Sequence, residues 1–111
     1  MKYLTNQIRK EIIEHSLNEA PNECCGMIYE NKSGYQSQKC KNISADKEMD
    51  FRISAIDYLN ISERGDIKAY YHSHVHDKNC TFSDRDKKVS VAHGIPLIMY
   101  CMEKQKFLEY I

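Results

Sequence analysis

Ile67, Ala69, Tyr70 and Tyr71 lead without a break into His72, Ser73 and His74, and this run constrains the fold more than any other stretch of the chain. Aromatic and β-branched side chains fit a pleated, half-buried surface, so residues 67–74 read as a strand. Side chains two apart on a strand leave the same face, which sets both imidazoles side by side at a spacing that lets them grip one ion. Whatever completes that grip must arrive at the carboxyl end of a sheet strand.

The flanking sequence supplies the rest of such a sheet. Leu4, Ile8, Ile12, Ile13 and Leu17 recur at helical spacing, Thr5 can cap the first turn and Pro21 stops the run, predicting a helix over residues 6–19. An apolar run at 25–29, a turn cluster at 31–34 and an alternating stretch at 35–40 predict a β-hairpin. Residues 50–53 predict a further short strand, after which Ser54 caps a helix carrying Ile56, Leu59 and Ile61 and ended by Gly65. Beyond a loop at 75–82, Ser83, Asp84, Arg85 and Asp86 open a third helix that runs to His93 and closes at Gly94, and residues 96–102 and 106–110 form a terminal hairpin. The expected class is α/β (α+β): a mixed β-sheet flanked by about three helices, with mostly hairpin-connected strands rather than a strict βαβ winding.

A chain of 111 residues leaves room for one core, so residues 1–111 are expected to form a single domain. Sixteen Lys and Arg balance sixteen Asp and Glu, giving no net basic field for a nucleic-acid backbone. No window approaches the roughly 18 apolar residues of a membrane span, and residues 1–7 lack the apolar core of a secretory signal. These features predict a soluble, cytoplasmic protein with neither nucleic acid nor membrane among its partners. Cys24, Cys25, Cys40, Cys80 and Cys101 are odd in number and match no paired zinc-ribbon or small disulfide scaffold, so they are expected to be mostly reduced, buried thiols.

Two neutral histidines and one carboxylate give Zn²⁺ three protein ligands and leave a fourth position open, the arrangement of a catalytic site. Asp86, in the first turn of the third helix where the dipole favours a carboxylate, can be that third ligand. The same Ser83-x-x-Asp86 spacing is also that of an N-cap with an acidic residue at N3. Glu23, where the first helix gives way to the first strand, can act as general acid and base for the attacking water and the leaving amine; a solvated turn carboxylate is the plainer alternative.

Glu23-x-x-Gly26, His72-x-His74 and Ser83-x-x-Asp86, in that order, resemble the signature of the JAMM (MPN-plus) zinc metallopeptidases, isopeptidases that cut amide bonds at lysine side chains or at the tails of ubiquitin-like proteins. The chain is also similar to the JAMM domain of bacteriophage tail assembly proteins in Glu23-Cys24-Cys25-Gly26, Lys41-Asn42, Phe51-x-Ile53, Asp57-Tyr58, Gly65-Asp66-Ile67 and Tyr71-His72-Ser73-His74. The resemblance implies a JAMM/cytidine-deaminase-like fold, with Zn²⁺ on His72, His74 and Asp86 and Glu23 as the acid/base. It further implies that Ser83 hydrogen-bonds the oxyanion. Eight residues separate His74 from Ser83 where the family commonly has seven, and Val75 stands where Pro is usual.

Within that longer loop His76 is an alternative ligand or a solvated histidine. Cys80 is either a thiolate able to occupy the fourth zinc position and gate the enzyme, or a solvent-facing cysteine without a role. The activity implied is hydrolysis of an amide bond by a metal-activated water. Its substrate is a protein or peptide, with a ubiquitin-like tail, a phage tail protein and a cell-wall peptide all open. A phage-encoded chain would act in the host cytoplasm. The alternative is a non-catalytic structural module of a tail assembly apparatus.

Overall fold

The computed structural model describes residues 1–111. Thr5, whose hydroxyl accepts the Ile8 N–H, caps α1 (Asn6–Glu19). The predicted hairpin follows as β1 (Cys25–Asn31) and β2 (Gly34–Cys40). Ser54 accepts the Asp57 N–H to start α2 (Ala55–Ser62), and the histidine-bearing run is β3 (Asp66–His74). α3 (Asp84–His93) starts on a capping box between Ser83 and Asp86 and stops at Gly94, whose φ of 64° is the left-handed cap that glycine adopts without strain. β4 (Leu97–Cys101) and β5 (Lys106–Tyr110) close the chain as a hairpin.

The strands form one mixed sheet in the order β2-β1-β3-β4-β5. Only β3 and β4 are parallel, which requires the intervening chain to cross over, and α3 is that crossover. β3 therefore lies at the centre of the sheet, and its carboxyl end meets the amino end of α3. Helices cover both faces. Ile8 and Ile12 of α1 pack with Cys24, Ile28, Ala69, Tyr71, Ile98 and Tyr100 on one face. Met27, Tyr29, Tyr70, Leu97, Phe51 and Ile61 of α2 form the core on the other. Strand alternation sends Tyr70, His72 and His74 to the second face. No helix is long and apolar enough to cross a membrane.

The expected α/β class, with three helices on a mixed sheet, is what the structure contains. Residues 50–53 are not a strand, however. The segment after β2 is tied by the Asn42 side chain, which donates to the carbonyls of Glu23 and Asp50 and accepts from the N–H groups of Ser44 and Arg52. Those backbone groups are occupied without a ladder, and Phe51 is free to turn inward.

His15 of α1 is buried, 5% exposed, its Nδ1 lying 2.8 Å from the Tyr71 hydroxyl. The Tyr71 ring in turn lies over Gly26, where a Cβ would come within 2.3 Å of it. The thiol expectation fails for two cysteines. Cys80 and Cys101 form a disulfide, because the loop after β3 folds back onto the end of β4, whereas Cys24, Cys25 and Cys40 are free and buried.

Candidate metal centre

The end of β3 delivers both imidazoles into the interior, His72 with no exposed surface and His74 8% exposed. Each ring is fixed from behind. His72 Nδ1 donates to the carbonyl of Ile98 at 2.9 Å, and the Phe51 ring stacks on it with centroids 4.7 Å apart. His74 Nδ1 donates to the Asp77 carboxylate at 2.9 Å. A carbonyl or carboxylate can only accept, so each neutral ring carries its proton on Nδ1 and turns a lone pair on Nε2 toward the other.

Asp86 meets that pair from α3. Its Oδ2 lies 3.0 Å from His74 Nε2 and 3.3 Å from His72 Nε2, and the two Nε2 atoms are 3.1 Å apart. A tetrahedral ion with bonds of about 2.0–2.1 Å holds its ligand atoms about 3.3 Å apart, so this triangle has the size a zinc ion needs. The same Oδ2 accepts the Ser83 N–H at 3.0 Å, while the Ser83 hydroxyl accepts the Asp86 N–H at 3.1 Å. The capping box and the histidine contacts thus use one carboxylate.

Glu23 enters from the turn before β1. Ser73, between the histidines, exchanges hydrogen bonds with Cys24: its N–H donates to the Cys24 carbonyl and its hydroxyl accepts the Cys24 N–H. Asn42 holds the Glu23 carbonyl, and the Glu23 N–H donates to Lys47. So pinned, the Glu23 side chain is 5% exposed, and its Oε1 is buried without any hydrogen-bond partner. Ligand atoms of Glu23, His72 and His74 all lie within 4.8 Å of one another, a group able to hold a metal ion. Two carboxylates thus flank the histidine pair, Asp86 in close contact with both rings and Glu23 on the cleft side. A cation or a proton is what such a group of buried acceptors and lone pairs needs.

Electrostatics agree. Burial pushes the Glu23 carboxyl up to about 8, with His74 opposing and Asp86, Asp50 and Asp46 adding to the rise. Burial works against a charged His74, yet its hydrogen bonds to Asp86 and Asp77 and the nearby Glu23 outweigh it and raise His74 to about 9. Asp86 is held far below the usual carboxylate range, since its contacts with the His72 and His74 rings outweigh its burial. Glu23 and His74 therefore each stabilise the metal-free fold fully below their ordinary values of 4.5 and 6.5 and lose that contribution as pH rises through about 8 and about 9. Asp86 has the opposite sign: its contribution is present above its ordinary value of 3.8 and is lost only in acid, outside this range. In a chelator, the chain is expected to melt at lower temperature at pH 9 than at pH 6. At about 1.4 kcal/mol per pKa unit, less solvent screening, the difference is of the order of a few kcal/mol. Thermal melts across that range check it, and a flat or rising profile contradicts it.

Ser83 is exposed and lines the same cleft as Glu23, His74 and Thr81, a cavity of about 290 Å³. Its oxygen is engaged by the cap, which leaves its O–H free to donate. His76 lines the cleft but is exposed and outside the ligand group. Both readings of Cys80 are corrected: it is 4% exposed, not solvent-facing, and its sulfur is bonded to Cys101 and has no thiolate to offer. Sequence reasoning gave no role at the site to Asp77, Phe51 or Asn42. Asp77 left a local signal, as an Asp three residues beyond a histidine in a turn-forming stretch; Asn42 and Phe51 stood in the matched motifs, but they reach the site through tertiary contacts alone.

A model of prokaryotic homologs of the JAB domain matches residues 5–107. The chain is similar to the tail tip assembly protein K of Escherichia phage N15, 33% identical over 85 residues, which cover 77% of this chain and 35% of that protein. The match thus spans about a third of the phage protein's length. With the family model covering nearly the whole fold, the chain belongs to the prokaryotic JAB domain family.

Proposed function

We propose that this chain is a zinc-dependent metallopeptidase of the JAMM type that hydrolyses an amide bond in a protein or peptide, in the setting of phage tail assembly in the host cytoplasm. The observation that carries the proposal is the triangle of His72 Nε2, His74 Nε2 and Asp86 Oδ2, with edges of 3.0–3.3 Å and both Nδ1 atoms already committed elsewhere. These three residues would hold Zn²⁺. The ion would supply Lewis-acid polarisation of an amide carbonyl and a lowered pKa for water.

The chain's own groups do the rest. Glu23, whose Oε1 has no other partner, takes a proton from the attacking water and passes it to the departing amine as the C–N bond breaks. Ser83 donates its hydroxyl proton to the oxygen that gains charge. Phe51 stacks on His72 and also walls an apolar groove of about 680 Å³ lined by Ile53, Leu59, Tyr70 and Val89, which gives the substrate an apolar side chain's seat beside the site.

The test is metal content together with hydrolysis. Protein purified without chelator is expected to carry about one zinc per chain, and chelation is expected to abolish cleavage of lysine-linked and tail-protein peptides. A chain free of zinc at neutral pH and inert toward such peptides would instead be a structural module of the tail assembly apparatus.

A further inference from the structure

We propose that the Cys80–Cys101 disulfide places the metal centre under redox control, acting through Asp77; the proposal rests on the zinc reading of His72, His74 and Asp86. His74 and Cys101 are direct partners across the parallel β3–β4 ladder, and the Met102 N–H donates to the His74 carbonyl at 3.0 Å. The chain leaves His74, loops outward and returns at Cys80, whose sulfur is bonded to Cys101. Strand, loop and disulfide thus close a ring on the rung that carries His74.

Asp77 fills the ring. Its Oδ1 accepts the N–H groups of Asn79 and Cys80, both at 3.0 Å, and its Oδ2 accepts the Thr81 N–H at 2.7 Å and His74 Nδ1 at 2.9 Å. The carboxylate that orients His74 is therefore hydrogen-bonded to the backbone of the half-cystine itself. Cys80 has a φ of 53°, a left-handed conformation that a non-glycine residue keeps only where its surroundings hold it. The disulfide is one of those holds. His76, Lys78, Asn79 and Thr81 around it are exposed, so once the covalent tie is gone only the small cluster of Cys80 with Met99, Cys101 and Phe82 and the hydrogen bonds to Asp77 hold the loop.

A dithiol reductant supplies two electrons and two protons: the Cys80–Cys101 bond breaks, each sulfur becomes a thiol, and the reductant closes to its own disulfide. The loop then gains conformational freedom, Asp77 no longer stays against Nδ1, and His74 loses the partner that fixes its tautomer and aims Nε2. Asp77 is a positioning residue in this scheme. Oxidised chains hold zinc tightly and reduced chains weakly.

The test measures the Zn²⁺ dissociation constant of the full chain by competition with a chromophoric chelator. It compares the oxidised protein, the protein reduced with a phosphine, and the Cys80→Ser/Cys101→Ser double variant, which has no new thiols to bind metal. Loss of an outer-shell partner typically costs 10–100-fold in metal affinity, and that weakening is expected in the second and third samples. Asp77→Asn is expected to weaken the oxidised protein by a similar factor and to erase most of the redox difference. Nitrogen-15 spectra of the His74 ring in zinc-free protein, recorded in alkaline solution where the ring is neutral, are expected to show Nδ1 protonated in the oxidised form and mixed tautomers after reduction, and Asp77→Asn is expected to give mixed tautomers without reduction.

Equal affinity in all three samples overturns the proposal and leaves the zinc site standing. No zinc binding in any sample overturns both. An undiminished redox difference in Asp77→Asn overturns the route through Asp77, and alkylation of Cys80 and Cys101 in protein never exposed to reductant overturns the disulfide on which all of it depends.

Discussion

Glu23→Gln is expected to keep its zinc and to lose turnover by roughly 10²–10⁴-fold, the usual contribution of a positioned general acid or base. Glutamine has nearly the shape of glutamate, so the pins from Asn42, Lys47 and the Ser73–Cys24 pair stay in place. What disappears is the ability to accept a proton. The substitution also removes a buried carboxyl whose Oε1 has no partner, and the metal-free variant is expected to be no less stable than the parent. Zinc content, single-turnover cleavage and a melt in chelator separate the three quantities. Unchanged cleavage would remove Glu23 from the mechanism; lost zinc would make it a ligand.

His74→Ala and His72→Ala are both expected to release the metal, with a weakening beyond the 10–100-fold that loss of an outer partner costs. Their effects on the fold should differ. His74 stands at the rim of the cleft, and without it Asp86 still caps α3 through Ser83. His72 is wholly buried under Phe51, so truncating it opens a cavity and is expected to cost about 2–4 kcal/mol, in the range of large-to-small core changes. Comparing both variants with the parent in excess chelator isolates the packing cost, and zinc titration isolates the ligand. Full zinc retention in both would refute the site.

Much of this was legible in the sequence for physical reasons. The stripe of Leu4, Ile8 and Ile12 has a period only a helix can bury on one face, and the histidines sit on a strand whose alternation fixes where they point. Ser83 and Asp86 carry their own local geometry. The remaining features depend on contacts between distant segments. Asn42 satisfies four backbone groups across three segments, so residues 50–53 need no strand partner. Cys80 and Cys101 are 21 residues apart and meet only because β4 runs parallel beside β3. The burial of His15 likewise depends on Tyr71, 56 residues away, whose hydroxyl gives its ring a partner.

On the hydrolase reading proposed above, Asp86 and Glu23 would fare differently in a descendant that had lost the activity. Asp86 answers to two demands, since the first turn of α3 needs its carboxylate whether or not a metal is present. Glu23 answers to one on that reading: its buried Oε1 has no structural partner, so only the proposed chemistry offsets the free energy of keeping it there. Drift would therefore erase Glu23 first and leave Asp86 behind as a helix cap. On the same reading, an acid at position 23 would be the better mark of hydrolysis among relatives of this chain, and an acid at position 86 could outlast it.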